Sequence, residues 1–244
     1  MIARVTQLFL FSLAFLAPFC VVNAALASDW KLIWQDEFNG QKIDSDRWSP
    51  CERGSSDWNN TMTRDPRCFS IGGGTLKLIG IRNPDLEKDP SPFLTGGITS
   101  RGKFEIQHGK VEIRARFKSA QGAWPALWML GAHGGWPNNG EIDIMEHLNF
   151  DSHVHQTVHS GFTQSANASK GPKKTITAPI ERDDWNVYGV EWNKEKITFS
   201  VNGKATHSYP KKPELGPEQW PFDGPFYLIF SMQIGGNWVG KTNP

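Results

Sequence analysis

Eight residues, Gly140-Glu141-Ile142-Asp143-Ile144-Met145-Glu146-His147, constrain what this 244-residue chain can fold into more than any other stretch. In an extended strand successive side chains point to opposite faces. Glu141 and Asp143 therefore share one face, and Ile142 and Ile144 share the other. Strict alternation would place Glu146 on the isoleucine face, where an unpaired carboxylate is very costly. One extra residue at Met145, a β-bulge, slips the register by one and returns Glu146 to the acid face. Three carboxylates then stand in a row on a strand whose other side is core. Like charges at close quarters raise one another's pKa, so the row does nothing for stability. It is the kind of arrangement that acid–base and nucleophilic chemistry uses.

With the bulge absorbing one residue, Glu141 and Glu146 lie four strand steps apart, roughly 13 Å between Cα atoms at ~3.3 Å per residue. Two glutamates leaning together on a curved sheet can close most of that gap. A pair of carboxyls flanking a glycosidic bond acts with retention at a separation of ~5–5.5 Å and with inversion at ~6.5–9.5 Å. Strand rise alone does not choose between the two.

The neighbours of the acid strand suit a sugar. Trp124, Ala126, Trp128 and Leu130 share one face of the preceding strand, and the loop from 131 to 140 carries His133 and Trp136. The apolar face of a pyranose packs on a flat ring while carboxylates and amides take its hydroxyls. Downstream, His153, His155 and His159 alternate on one face of a further strand. No cysteine accompanies them, and their spacing is only that of every second residue, so the pattern implies no metal site. His153 and His155 read as polar residues on an exposed face.

Other strands are expected at Trp30 to Trp34, Ile98 to Phe104, Gly109 to Lys118, Trp185 to Trp192, Lys196 to Val201, Lys204 to Tyr209 and Phe226 to Ile234, and Ser70 to Ile81 reads as a turn followed by a strand. Asn202-Gly203 marks a two-residue hairpin. The stretches 49–69, 83–94, 165–177 and 211–221 read as loops. The first of these, with Trp58, Asn59, Asn60 and Arg64, is a candidate wall of the cleft. Many short strands with turn punctuation, no long helix and no repeat argue for one all-β sandwich domain.

At the amino terminus Arg4, an apolar run from Leu8 to Val22 and Ala25-Leu26-Ala27 have the form of a secretory leader over residues 1–27, too short for a membrane anchor. Cys20 follows Pro18 and Phe19, a poor lipid-attachment context. The catalytic domain would then occupy 28–244, with no transmembrane segment, and would be secreted, periplasmic or held at the cell surface. Without Arg4 the 26 basic residues become 25, against 25 acidic ones. A neutral chain argues against nucleic acid or an anionic membrane as partner and suits a neutral polysaccharide. Cys51 and Cys68 remain, and an oxidising compartment permits a disulfide between them, contributing ~3 kcal/mol on the chain-entropy estimate.

The run Glu-Ile-Asp-Ile-Met-Glu resembles the active-site signature of glycoside hydrolase family 16 in its bulged, laminarinase-like form, and the resemblance extends from Trp30-Lys-Leu-Ile-Trp-Gln-Asp-Glu-Phe to Gly235-Gly236-Asn237-Trp238. It implies a concanavalin-like jelly roll of two antiparallel sheets with the acids on a concave face. By the same resemblance Glu141 is the nucleophile, Glu146 the general acid/base and Asp143 the residue that tunes Glu141, in a retaining double displacement. Trp124, Trp128 and Trp136 would line the cleft, with His159 near the nucleophile and Asn60, Arg64, Gln233 and Trp238 as further substrate contacts. The expected activity is endo-hydrolysis of a β-1,3 or mixed-linkage glucan by a monomer that needs no cofactor. A lectin on the same sandwich is the rival of another class, although it has no use for the acid row. A transglycosylase keeps the row and changes only the acceptor.

Two departures from the family pattern bear on this. Relatives continue after Gly-Gly-Asn-Trp into a strand containing Asp-Tyr-Val-Arg-Val-Tyr, whereas this sequence stops at Pro244, so a C-terminal strand is expected to be missing. Some members hold a structural calcium near the first strand with an acid borrowed from that last one, which weakens the case for calcium here. Secondly, a sugar-contacting Arg in a Thr-Ser-x-Arg context corresponds to Gly97 of Thr95-Gly96-Gly97-Ile98. That change shifts weight towards endo-β-galactosidases acting on poly-N-acetyllactosamine glycans.

Overall fold

In the computed structural model of the chain, residues 2–8 and 30–242 are described, the former by backbone alone. The strands in chain order are β1 (Ile2–Leu8), β2 (Trp30–Asp36), β3 (Ser49–Pro50), β4 (Phe69–Gly72), β5 (Thr75–Leu78), β6 (Gly80–Arg82), β7 (Phe93–Thr95), β8 (Gly97–Thr99) and β9 (Gly109–Ala115). They continue with β10 (Ala123–Gly131), β11 (Glu141–Glu146), β12 (His153–His159), β13 (Thr175–Pro179), β14 (Asn186–Trp192), β15 (Lys196–Val201), β16 (Lys204–Pro210) and β17 (Phe226–Ile234). Only short 3-10 turns interrupt them. Among the described residues no helix is long and apolar enough to cross a membrane.

Two antiparallel sheets enclose the core. One runs β16-β15-β14-β9-β1-β2 and the other β13-β12-β11-β10-β17-β8-β3, with β4–β5 and β6–β7 as separate two-stranded ribbons. This is the expected jelly-roll sandwich. Its main core draws Val111 and Ile113 from β9, Ile142 and Ile144 from β11, Tyr188 and Val190 from β14, and Leu228 and Phe230 from β17. The near-continuous apolar run of β17 is explained by burial on both faces. Phe226, Leu228 and Phe230 enter the main core, while Tyr227 and Ile229 join Ala126, Trp128, Cys51 and Met62 in a second cluster on the opposite side. The hairpin between β15 and β16 turns at Asn202 (φ 50°) and Gly203 (φ 76°), the paired left-handed conformations of a type I′ turn.

Several expectations need correction. The loop read over 165–177 contains the start of β13, an edge strand of the cleft sheet. Phe93 and Leu94, read as loop, begin β7. The strand expected over Ile98 to Phe104 ends at Thr99, because Arg101 to Lys103 turn and Gly102 adopts φ 71°. Cys51 and Cys68 are free, buried thiols rather than a disulfide. Cys51 lies in the second cluster, whereas Cys68 ends a 3-10 turn and is absent from that cluster. Burial pushes both thiols up, to about 12 and about 11, which makes them inert.

The strand expected to be missing bears on β1. Ile2–Leu8 pairs with β9 on one side and β2 on the other, so the segment read as the start of a leader fills the gap between two strands. The remainder of that stretch, 9–29, lies outside the described residues. In β2, the segment where the resemblance places calcium, both oxygens of Asp36 accept from the protein: Oδ1 from the Phe38 amide and Oδ2 from Trp48 Nε1, each at 2.8 Å. The Asp36 carboxylate is thus a structural acceptor that joins β2 to Trp48.

Candidate active site

The bulge forms where the alternation argument requires it. In the β10–β11 ladder Trp128 faces Asp143 and Leu127 faces Met145, so the register slips between them. In the β11–β12 ladder Asp143 faces Thr157 and Glu146 faces His155, which leaves Ile144 and Met145 opposite Gln156 alone. Ile144 and Met145 are both buried in the main core. Glu146 is thereby returned to the side of Glu141 and Asp143. Gln156 repairs the ladder: its Nε2 donates to the Ile144 carbonyl at 3.0 Å and to the Ser200 carbonyl at 3.3 Å, and its Oε1 accepts from Thr206.

The three acids line a cleft of about 360 Å³ on the outer face of the β10–β11–β12 sheet. Trp58, Trp124, Trp128, Trp136 and Trp238 form its aromatic walls. Trp58 sets its ring edge-on to Trp128 at 4.9 Å, and Trp238 meets Trp124 in the same way at 5.4 Å. Trp136 is 56% and Trp238 45% exposed, so both offer a free ring face to a ligand. A larger, open depression of about 720 Å³ runs beside Arg53, Pro92 and Gly235, but no carboxylate lines it.

Glu146 has a partner of its own, while Asp143 and Glu141 share one. Trp124 Nε1 donates to Glu146 Oε1 at 3.1 Å. The His159 Nε2 lies 3.3 Å from Asp143 Oδ2 and 3.8 Å from Glu141 Oε1. Gln164 donates its amide to His159 Nδ1, which leaves the imidazole proton on Nε2, facing the carboxylates. Burial pushes Glu141 up to about 8, and the charge of Asp143 adds to it while His159 opposes it. Burial likewise lifts Asp143 to about 7. Glu146 is raised well above the ordinary carboxylate range by burial, then by the charges of both Asp143 and Glu141. The histidine contacts favour ionisation at the Glu141–Asp143 end, so the retained proton belongs on Glu146. That division of roles, one carboxylate and one carboxylic acid, is what cleavage of a glycosidic bond requires.

Of the expected contact residues, Trp124, Trp128, Trp136, His159, Gln233 and Trp238 all reach the cleft. Asn60 does not line it; its Oδ1 accepts from Gln233 Nε2 at 3.0 Å, while Thr61 donates to Gln233 Oε1 at 2.7 Å, so the loop braces Gln233 from behind. Arg64 is an exposed side chain paired with Glu52, away from the cleft. Thr157, Lys174, Thr175 and Ser231 line the cleft without having been singled out. The alternation of β12 signals Thr157, between His155 and His159. Nothing local signals Lys174, which precedes a strand misread as loop. Gly97 is buried against Met62 and Cys51: a Cβ there would lie 2.8 Å from Met62 Sδ and 3.2 Å from Cys51 Sγ. The volume that a longer side chain would need is filled by this chain's own sulfur-bearing residues.

With this geometry in hand, residues 58–243 match the family model for glycosyl hydrolases family 16. The chain is 40% identical over 218 residues to a keratan-sulfate endo-1,4-beta-galactosidase of Sphingobacterium multivorum, covering 87% of this chain and 51% of that protein. It is 35% identical over 254 residues to a beta-glucanase of Rhodothermus marinus, covering 93% and 86% of the two chains. Among solved structures, the laminarinase from Rhodothermus marinus superposes with a TM-score of 0.76 at 34% identity, over 86% of this chain and 88% of that one. The chain thus spans about half the length of the first of these relatives and most of the second.

Proposed function

This chain belongs to glycosyl hydrolase family 16 and is a glycoside hydrolase; on that premise we propose that it is an exported, endo-acting, retaining β-glucanase that cuts β-1,3-linked or mixed-linkage glucan. The observation that carries the reading is the bulge at Ile144–Met145, which sets Glu141, Asp143 and Glu146 on one cleft face between tryptophan walls. Glu146 donates its proton to the leaving glycosidic oxygen as the Glu141 carboxylate attacks the anomeric carbon, forming a glycosyl ester and breaking the C–O bond. Glu146, now ionised, takes a proton from water as that water attacks the same carbon, which frees Glu141. Asp143 shares a hydrogen bond with Glu141, and His159, set against both carboxyls, is the group that opposes their charge.

The Rhodothermus beta-glucanase and laminarinase support the glucan assignment. A second reading, an endo-β-galactosidase on poly-N-acetyllactosamine-type glycans, is favoured by the 40% identity to the keratan-sulfate enzyme and by the filled space at Gly97. One product profile decides between them: laminarin, mixed-linkage glucan, poly-N-acetyllactosamine and keratan sulfate, each with a Glu141→Ala control. Oligosaccharides from the glucans alone are the expected result. Cleavage of the galactose polymers alone would overturn the glucan reading, and binding without cutting, unchanged in the control, would leave a lectin. Mass spectrometry of the exported protein checks the leader, with an amino terminus near Ser28 expected.

A further inference from the structure

From the side chains at the far end of β12 we infer a second site: Asp151, His153 and His155 form a binding site for a divalent transition-metal ion of the zinc class, set against the end of the cleft. One donor atom from each residue lies within 4.8 Å of the other two, and all three residues are partly exposed, so an ion can enter from solvent. The histidine spacing on its own carried no metal reading. The structure adds the third donor from a different element: the turn after β11 brings Asp151 Oδ2 to 3.6 Å from His153 Nε2.

The turn holds Asp151 firmly. Asn149 takes a left-handed conformation (φ 54°), and the Asp151 amide donates to the Leu148 carbonyl at 3.0 Å. The Asp151 carbonyl accepts from Nε2 of His147, a buried residue whose ring packs on Phe117 at 4.4 Å. Across from it, the His153 and His155 rings meet at 5.2 Å. Two imidazoles and one carboxylate are a donor set for zinc with a position left for water, whereas magnesium and calcium favour all-oxygen sites. A tetrahedral ion with bonds of about 2.1 Å holds its ligands about 3.4 Å apart. Side-chain torsion closes the remaining gap without moving the backbone.

The site is joined to the cleft. His155 faces Glu146 across the ladder, and its ring lies 4.9 Å from that of Trp238. Trp238 in turn abuts Trp124, the hydrogen-bond donor to Glu146. An ion on His155 fixes the imidazole that supports the Trp238 wall, and it adds positive charge at the Glu146 end of the acid row. Occupancy therefore lowers hydrolysis of long substrates, whichever glycan the enzyme cuts.

Cobalt(II) titration of the whole chain, read by its visible d–d absorption and followed by competition with zinc(II), tests the site without reference to activity. One ion in a tetrahedral field is expected. Asp151→Asn and His153→Ala should each weaken binding by about tenfold or more, since even outer-shell losses cost that much, while Glu141→Gln should not. Unchanged binding in both variants would overturn the proposal. So would binding lost only in Glu141→Gln, which would place the ion on Glu141, Asp143 and His159. In kinetics, zinc should inhibit the unaltered enzyme and spare His153→Ala, whose metal-free activity matches the parent; equal inhibition of both would refute the link to the cleft.

Discussion

At the scale of single residues, the proposed function depends on three carboxyl groups that do the same thing in water and different things here. In the proposed mechanism Glu146 is the proton donor, because burial and two neighbouring charges hold its proton and Trp124 donates a hydrogen bond to it. Glu146→Gln should therefore slow polysaccharide cleavage by about 10²–10⁴, the range of general acid–base catalysis. An aryl glycoside whose phenolate leaves unaided should form the glycosyl ester at a near-normal rate in the same variant. Equal losses on both substrates would deny Glu146 the acid role. Glu141 adds a stability argument. Its carboxyl titrates near 8 when folded, against an ordinary value of 4.5. Between those values the folded acid row, whose proton rests on Glu146, retains more protons than the unfolded chain, so stability falls as pH rises through that window and the full penalty applies above about 8. Glu141→Gln removes one buried negative charge from the row and so lightens that penalty. At pH 8 it should gain at least ~1 kcal/mol over the parent, a Tm rise of roughly 2–4 °C, with the difference shrinking towards pH 5. Thermal melts across that range check it, and a constant offset would contradict it. The acids were legible in the sequence because a charged side chain at an odd position in an alternating strand demands an explanation. Arg64 was misread because an arginine in a polar loop looks the same whether it meets a sugar or, as here, Glu52.

At the scale of elements, the bulge is the feature that makes the site. An extra residue leaves one backbone carbonyl without its ladder donor, and a buried carbonyl left so costs ~1–3 kcal/mol. Gln156, fully buried opposite the bulge, supplies the donor to Ile144 and ties β12 to Ser200 in β15 and Thr206 in β16. Gln156→Leu keeps the volume and removes both functions. It should lose about 1–3 kcal/mol in urea unfolding and lower kcat more than it raises KM, because Glu146 loses its register while the tryptophan walls stay in place. A neutral result would mean that the bulge is held by sheet pairing alone. The position of the bulge could be read from the chain, since it follows from one misplaced acid. Its support could not, because Gln156, Ser200 and Thr206 are distant in sequence and each is unremarkable locally. The same holds for β13. Thr175–Pro179 alternates polar and apolar residues only over Thr-Ile-Thr-Ala, too short a run to stand out after a polar, lysine-rich approach, and it becomes a strand because β12 offers an open edge.

At the scale of the whole molecule, the sandwich depends on a strand between β2 and β9, and β1 fills that position. β2 pairs with no strand other than β1 among the described residues, whereas β9 is also paired with β14. The two neighbours should therefore respond differently when Ile2–Leu8 is absent, as it would be after removal of a leader ending at Ala27. Trp30–Asp36 loses its entire ladder, and with it the anchoring of Trp34, whose ring stacks on Phe104 at 4.8 Å and meets Trp48 at 5.4 Å. Gly109–Ala115 keeps one ladder and its buried Val111 and Ile113. Hydrogen exchange on a chain beginning at Ser28 is expected to show fast amides over Trp30–Asp36 and continued protection over β9, β14 and the whole cleft sheet. The cleft lies on the opposite sheet, so the acid row and its tryptophans should keep their geometry even so. Protection of Trp30–Asp36 equal to that of β9 would show that another segment takes the position of β1, because an unpaired strand with half-exposed Leu32 and Ile33 has no other means of slowing exchange.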